Sequence, residues 1–172
     1  MKSAYFAGGC FWCIESAFET LDGVKEAING YTGGNLPNPT YEQVSSGETG
    51  HYEATKIIYD PRKITYKSLL EFFWRNINPT DDKGQFADEG SQYRTAIFYQ
   101  TQEEKAEAEN SKKEIQKKFK EPVATQILPL KKFYEAEEHH QDFYKKRVLQ
   151  YKAYEAGSGR KETLKQIWGN KQ

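Results

Sequence analysis

Apolar residues at spacings of three and four, namely Phe11, Ile14, Phe18 and Leu21, predict a helix that starts near Cys10 and stops at Asp22-Gly23. The run Ala4-Tyr5-Phe6-Ala7 before it ends in Gly8-Gly9 and reads as a strand followed by a sharp turn. Val24–Asn29 reads as a second strand. Glu53–Tyr59 alternates with a period of two up to Asp60-Pro61, which places Glu53, Thr55, Ile57 and Tyr59 on one face. Tyr66–Ile77 is an amphipathic helix with Leu69, Leu70, Phe73 and Ile77 on one side, closed by Pro79. Strands are expected at Arg94–Tyr99 and Thr125–Leu130. Helices are expected at Gln102–Phe119, whose Lys/Glu-rich run is a solvated face, and at Glu162–Trp168. Ala136–Tyr144 reads as a short helix or turn. Residues 30–50 carry Gly30, Gly33, Gly34, Pro37, Pro39, Gly47 and Gly50 and fit no regular element; irregular loops this long are usually functional. A second polar loop runs from Asp82-Lys83-Gly84 to Glu89-Gly90-Ser91.

The order β-α-β-β-α-β-α-β predicts an α+β fold. The expected form is a two-layer α/β sandwich of the ferredoxin-like plait type, with a mixed sheet, helices on one face and long irregular loops. The 172 residues are enough for one domain, expected to span 1–172, and no internal repeat is visible.

Charge narrows the function. With 25 basic and 25 acidic residues the chain carries neither a nucleic-acid footprint nor a polybasic membrane patch. Aromatics at 15% are too many for a disordered chain. No apolar stretch approaches the roughly 20 residues of a membrane span, and Met1-Lys2-Ser3-Ala4-Tyr5-Phe6 lacks the apolar core of a signal peptide. A soluble, cytoplasmic protein is expected.

The chemistry concentrates in Ala7-Gly8-Gly9-Cys10-Phe11-Trp12-Cys13, which holds both cysteines. A Cys-x-x-Cys pair closes and opens by thiolate exchange. The free amides and dipole of a helix start favour a thiolate at Cys10. Two cysteines this close do not staple distant segments, so their use is reactivity. Phe11 and Trp12 between them suggest an apolar surface for the substrate. Glu53 lies in phase with apolar residues, and a carboxyl in such surroundings is kept protonated and can donate. Tyr41 and Tyr93 stand in Gly/Pro-rich loops, where tyrosines serve packing or donation. Glu137-Glu138-His139-His140 reads as a surface charge cluster. Three other readings stay open at this level: a thioredoxin-like disulfide oxidoreductase; a non-enzymatic binding module that uses the aromatic pocket and keeps the cysteines for zinc, with His51, His139 and His140 able to complete the site; and two buried cysteines with no reactivity.

Taken in order, these segments resemble the peptide methionine sulfoxide reductase A family. The likeness runs through Gly9-Cys10-Phe11-Trp12-Cys13, Gly30-Tyr31-Thr32-Gly33-Gly34, Asn38-Pro39-Thr40-Tyr41 and Gly50-His51-Tyr52-Glu53. It continues through Tyr59-Asp60-Pro61, Asn78-Pro79-Thr80-Asp81, Gln85-Phe86-Ala87-Asp88, Gly90-Ser91-Gln92-Tyr93-Arg94 and Ala136-Glu137 to His140-Gln141. The resemblance implies reduction of methionine S-sulfoxide, free or in proteins, and so repair of oxidised proteins. It implies Cys10 as nucleophile, Phe11 and Trp12 around the substrate methyl, Glu53 as proton donor, Tyr41 and Tyr93 on the sulfoxide oxygen, and Asp88 and His140 in support.

Two departures matter. Most members carry glycine where Cys13 stands and resolve with cysteines near the C-terminus, but this chain has no cysteine after Cys13. Cys13 is then the resolving cysteine, as in a subgroup with the same CFWC form. Phe143 stands where the family often has tyrosine, so a hydroxyl is lost there. On this mechanism no metal or organic cofactor is required, thioredoxin is the expected reductant, and the protein is expected to be a monomer.

Overall fold

The computed structural model describes residues 1–169. In chain order its elements are β1 (Lys2–Gly8), α1 (Phe11–Phe18), β2 (Val24–Thr32), α2 (Tyr41–Ser45), β3 (Tyr52–Tyr59) and α3 (Tyr66–Arg75). There follow the short strands β4 (Gly84–Gln85) and β5 (Asp88–Glu89), then β6 (Thr95–Tyr99), α4 (Gln102–Gln116), β7 (Gln126–Pro129) and β8 (Tyr134–Glu135). The chain finishes with α5 (Phe143–Lys146), α6 (Val148–Ser158) and α7 (Arg160–Trp168), and single 3-10 turns lie at Ser91–Tyr93 and Glu138–His140.

The main sheet has the order β7-β6-β1-β3-β2-β8. Its inner four strands, β6-β1-β3-β2, pair antiparallel, while β7 adds to β6 in parallel after the α4 crossover. The β1-α1-β2-β3-α3-β6 path with that order is the split βαβ arrangement of the ferredoxin-like plait, as expected.

Period-two alternation decides which side chains meet the helices. Ala4, Phe6, Ile57, Tyr59 and Ile97 face Ile14, Phe18, Leu69, Leu70 and Phe73 in the larger core. Phe6 stacks on Phe73 at 4.9 Å and on Phe18 at 5.3 Å between ring centroids. Tyr5, Ala7, Tyr52, Ala54, Ala96 and Phe98 point to the opposite face, which Leu128, Leu130 and Phe133 cover.

Besides the short strands β4, β5 and β8, three departures from the expected elements bear on the site. β2 runs on to Thr32, since Tyr31 and Thr32 still pair with Glu53 and Tyr52. Residues 30–50 are not wholly irregular, because Thr40 starts α2 with a capping box: its hydroxyl accepts from the Gln43 amide, and Gln43 answers on the Thr40 amide. The third is α6, which no apolar stripe announces. Among its residues only Tyr151 and Ser158 are buried, and Val148 and Leu149 point to solvent. No helix among the described residues is long and apolar enough to cross a membrane.

Candidate active site

β1 ends in Gly8-Gly9, and the chain turns directly into α1 with Cys10 at the N-cap. Gly9 has φ +88°, and a Cβ there would lie 2.6 Å from the Cβ of Gln85. Gln85 cannot yield, because its amide is held by Asn78 N–H at 2.8 Å and donates to Asn78 C=O at 2.7 Å. Gly9→Ala is therefore expected to destabilise the fold by about 2 kcal/mol or more, from backbone strain plus overlap, as read from the denaturant midpoint. An unchanged midpoint would show that the turn relaxes freely.

The turn brings the predicted residues together. Glu53 on β3 is 2% exposed, and its Oε1 accepts the Phe11 amide at 3.2 Å, so the acid is tied to the helix start that carries Cys10. Burial is the main reason its carboxyl is pushed up to about 8, against the opposing Phe11 bond; Asp88 and Cys13 add to the rise. Glu53 is thus protonated at neutral pH. Tyr41, the first residue of α2, and Tyr93, at the end of a 3-10 turn, lie near each other and near Glu53. Burial raises both phenols, which stay neutral donors.

His140 settles which half of its acidic–histidine cluster belongs to the site. Glu138 and His139 are exposed, whereas His140 is buried among Phe11, Trp12 and Tyr41, 4.4 Å from the Tyr41 ring. Trp12 Nε1–H donates to His140 Nδ1 at 3.2 Å. Desolvation, with His139 adding, lowers the imidazole to about 4, so it stays neutral and accepts from Trp12. Glu137 joins from the same turn, its two oxygens accepting the Tyr31 hydroxyl and the Tyr41 amide, each at 2.9 Å. The expectation of a surface cluster is thus corrected for Glu137 and His140. The reason is Asn29, whose side chain donates to His140 C=O at 2.9 Å and to buried Glu15 at 2.7 Å, which pins the segment onto β2.

Phe143 stacks on Trp12 at 3.8 Å, nearly parallel, which fills its place without a hydroxyl. His51 does different work from the zinc reading: Nδ1 accepts from the Gly34 amide at 3.1 Å and Nε2 meets Leu36 C=O at 2.8 Å, so neither nitrogen is free for a metal.

Both sulfurs are buried, Cys10 at 6% and Cys13 at 4% exposure, beneath the helix that the sequence did not announce. From α6, the Tyr154 hydroxyl donates to Asp88 and lies near Cys10, and the Tyr151 hydroxyl donates to Glu155 and lies near Cys13. Burial works against the thiolate that the helix start favours at Cys10. Burial pushes the Cys10 thiol well up, and its hydrogen bond and proximity to Cys13 push the same way. Cys13 is lowered to about 7, chiefly by the hydrogen bond from Cys10, with Arg160 and Tyr151 helping. Within the dithiol, Cys10 therefore holds its proton more tightly than Cys13 does.

Two buried sulfurs beside a carboxyl kept protonated and two neutral phenols are the groups that a thiol-dependent reductase uses. The sequence comparisons place it more closely. The family model for peptide methionine sulfoxide reductase matches residues 2–172. The peptide methionine sulfoxide reductase MsrA of Halalkalibacterium halodurans is 49% identical over 171 residues, covering 98% of this chain and 97% of its own. Reduced Mxr1 from Saccharomyces cerevisiae superimposes with a TM-score of 0.81 at 34% identity, over 86% of each chain. A second structure, of Mxr1 in complex with Trx2, matches with a TM-score of 0.60 at 27% identity, over 81% of this chain and 83% of that one. The chain belongs to the peptide methionine sulfoxide reductase family, and its activity is the thiol-dependent reduction of methionine sulfoxide.

Proposed function

We propose that the chain, acting as one unit over residues 1–172, reduces the S epimer of methionine sulfoxide through Cys10 and resolves through Cys13. The observation that carries this reading is Glu53, a carboxyl protonated at neutral pH and hydrogen-bonded to the amide next to Cys10. A sulfoxide sulfur is a poor electrophile until its oxygen is protonated. Glu53 supplies that proton, and Tyr41 and Tyr93 donate to the same oxygen as charge develops; each such donor is worth roughly 3 kcal/mol. Phe11, Trp12 and His140 form the wall for the methyl group, and Asp88 holds Tyr154 near Cys10.

The proton inventory balances. Cys10 passes its proton to Cys13 as it attacks sulfur, Glu53 protonates the oxygen, and the S–O bond breaks. The released hydroxide bonds to the Cys10 sulfur as the bond between the two sulfurs breaks; methionine keeps that bond's electron pair and leaves, and Cys10 becomes a sulfenic acid. Cys13 then attacks the Cys10 sulfur; the displaced hydroxide takes the Cys13 proton and departs as water. An external dithiol reopens the Cys10–Cys13 disulfide. The Trx2 complex of Mxr1 supports thioredoxin in that role. With both cysteines under α6, the exchange requires that helix to move aside. The reaction draws on no metal or organic cofactor, and we place the protein in the cytoplasm as a monomer.

The deciding experiment supplies separated S and R epimers with thioredoxin, its reductase and NADPH. NADPH loss with the S epimer alone is expected; equal loss with both would overturn the stereochemical assignment. Cys13→Ser is expected to release about one methionine per enzyme and then stall with thioredoxin, at a slower first turnover near neutral pH, since serine is a poor acceptor for the Cys10 proton. Sustained thioredoxin-driven cycling by that variant would refute resolution by Cys13.

A further inference from the structure

Glu15 follows Trp12 by three residues on α1 and is fully buried, yet the mechanism gives it no work. Both of its oxygens are engaged. Oε1 accepts the Asp142 amide at 2.7 Å, and Oε2 accepts from the Asn29 side chain at 2.7 Å. Asp142 has φ +53° and ψ +30°, a left-handed conformation that a residue with a side chain adopts at a cost. That turn leads the chain from the His140 segment into α5, where Phe143 stacks on Trp12 at 3.8 Å, nearly parallel. The Asn29 amide that reaches Glu15 also donates to His140 C=O at 2.9 Å, and His140 in turn accepts Trp12 Nε1–H. Trp12 is therefore bracketed by two residues, Phe143 and His140, whose backbones are tied to one buried carboxylate.

We infer that Glu15 is a positioning residue for the substrate wall: its carboxylate holds the Asp142 turn and, through Asn29, the His140 carbonyl, and so fixes the plane of Trp12 against which the substrate methyl packs. This rests on the reading of Phe11, Trp12 and His140 as that wall. The chemistry of the acceptor carries the argument. Each oxygen faces an N–H, so a protonated carboxyl would turn its own O–H onto one of them, donor against donor. One of the two bonds is then lost, and a buried amide is left unpaired. The wall is fully assembled only around the anion. The titratable groups that face Glu15 are Glu19 on its own helix, Asp142 in the turn, and Tyr144 and Lys145 on α5. Lys145 is engaged by Glu19 at 2.7 Å and by Asp142 at 3.2 Å, and Tyr144 donates to Glu19. From the sheet the neighbour is the neutral Asn29 of β2, itself held by Thr55 of β3 at 3.1 Å. Burial raises the Glu15 carboxyl to about 7 against its two hydrogen bonds, so mildly acidic solution removes the anion.

The test measures, by calorimetry, binding of the S epimer of N-acetylmethionine sulfoxide amide to a Cys10→Ser protein, which has no nucleophile to consume it. The series runs from about pH 5.5 to about pH 7.5, where His140 stays neutral and Glu53 largely protonated. With Glu15 intact, the dissociation constant is expected to rise about tenfold toward the acid end, the usual worth of a hydrogen bond to a charged group. Glu15→Gln always carries an N–H donor where the carboxylate carries an oxygen. It is expected to bind about tenfold more weakly at the alkaline end and to lose the pH dependence. Adding Asp142→Gly to Glu15→Gln is expected to recover most of the affinity, because glycine takes the left-handed turn without a carboxylate to hold it. An affinity flat with pH when Glu15 is intact overturns the proposal, as does a Gln variant that binds normally. So does a double variant no better than Glu15→Gln, since loss of packing alone is not repaired at Asp142. If Glu15→Gln fails to fold, Asp142→Gly by itself decides: it is expected to make the pH series shallower, and an unchanged slope refutes the assignment. Failure of the underlying reading looks different: S and R epimers would bind equally at every pH, which removes the wall and the proposal together.

Discussion

Cys10→Ser is expected to lose all detectable methionine sulfoxide reduction, with no methionine released even in a single turnover. The size of the effect follows from what remains. Glu53, Tyr41 and Tyr93 still protonate and polarise a sulfoxide oxygen, but a hydroxyl in place of the thiol neither ionises near neutral pH nor forms a stable sulfenic acid equivalent. Cys10 is the cysteine at the start of α1, next to the amide that Glu53 holds, whereas Cys13 lies almost a turn further along the helix. Quantifying methionine after mixing excess enzyme with the S epimer checks this. Release above the no-enzyme control would remove Cys10 from its role. A reversed result, with Cys13→Ser dead and Cys10→Ser active, would move the nucleophile to Cys13 and match its looser hold on the proton rather than the geometry of the donors.

That tension between charge and geometry was not visible in the sequence. Helix-start electrostatics alone point to Cys10 as the thiolate. The deciding fact is tertiary: burial of Cys10 next to Glu53. The plait itself was legible, because β1, β3 and α3 carry clean periods of two and of three to four, and each period survives in the cores it builds. Glu53 was legible for the same reason, its phase alone placing it on the helix side of the sheet. Tyr41 lay behind a readable signal, the Thr40-x-x-Gln43 cap, hidden by the surrounding Gly and Pro. Tyr151, Tyr154 and Arg160 carried no such mark. They sit on helices that bury Tyr151 and Ser158 in α6 and Arg160 beside Leu164 in α7, so they bury hydroxyls and a guanidinium rather than an apolar stripe. Periodicity registers only the second kind of burial. The same blindness applies to Asn29 and Glu15, whose mutual hydrogen bond fastens the His140 segment and pairs two polar residues no pattern would bring together.

Glu53→Gln should slow methionine release by about 10²- to 10⁴-fold, the usual worth of a positioned general acid, and at the same time stabilise the protein. The two effects have one origin. Burial holds the carboxyl at about 8 in the folded state, while the unfolded chain lets it go near 4.5. A folded value above the unfolded one means that its stabilising contribution is complete at low pH and is lost as pH rises from about 4.5 through about 8. By pH 7 that loss reaches about 3 kcal/mol. Glutamine keeps the oxygen that accepts the Phe11 amide and has no proton to lose. Denaturant midpoints should therefore favour the variant near neutral pH and converge near pH 4. The rate should show the same group from the other side. Wild-type methionine release is expected to rise as the cysteine pair ionises near 7 and to fall as Glu53 ionises near 8, a narrow bell. The variant should keep the rising limb and lose the falling one. A variant that is slow but no more stable would mean that Glu53 is ionised in the resting protein, and the donor would then have to be sought in Tyr41 or Tyr93. Residual catalysis with an unchanged bell would assign the falling limb to the thiols, and Glu53 would be left as a bracket for the start of α1.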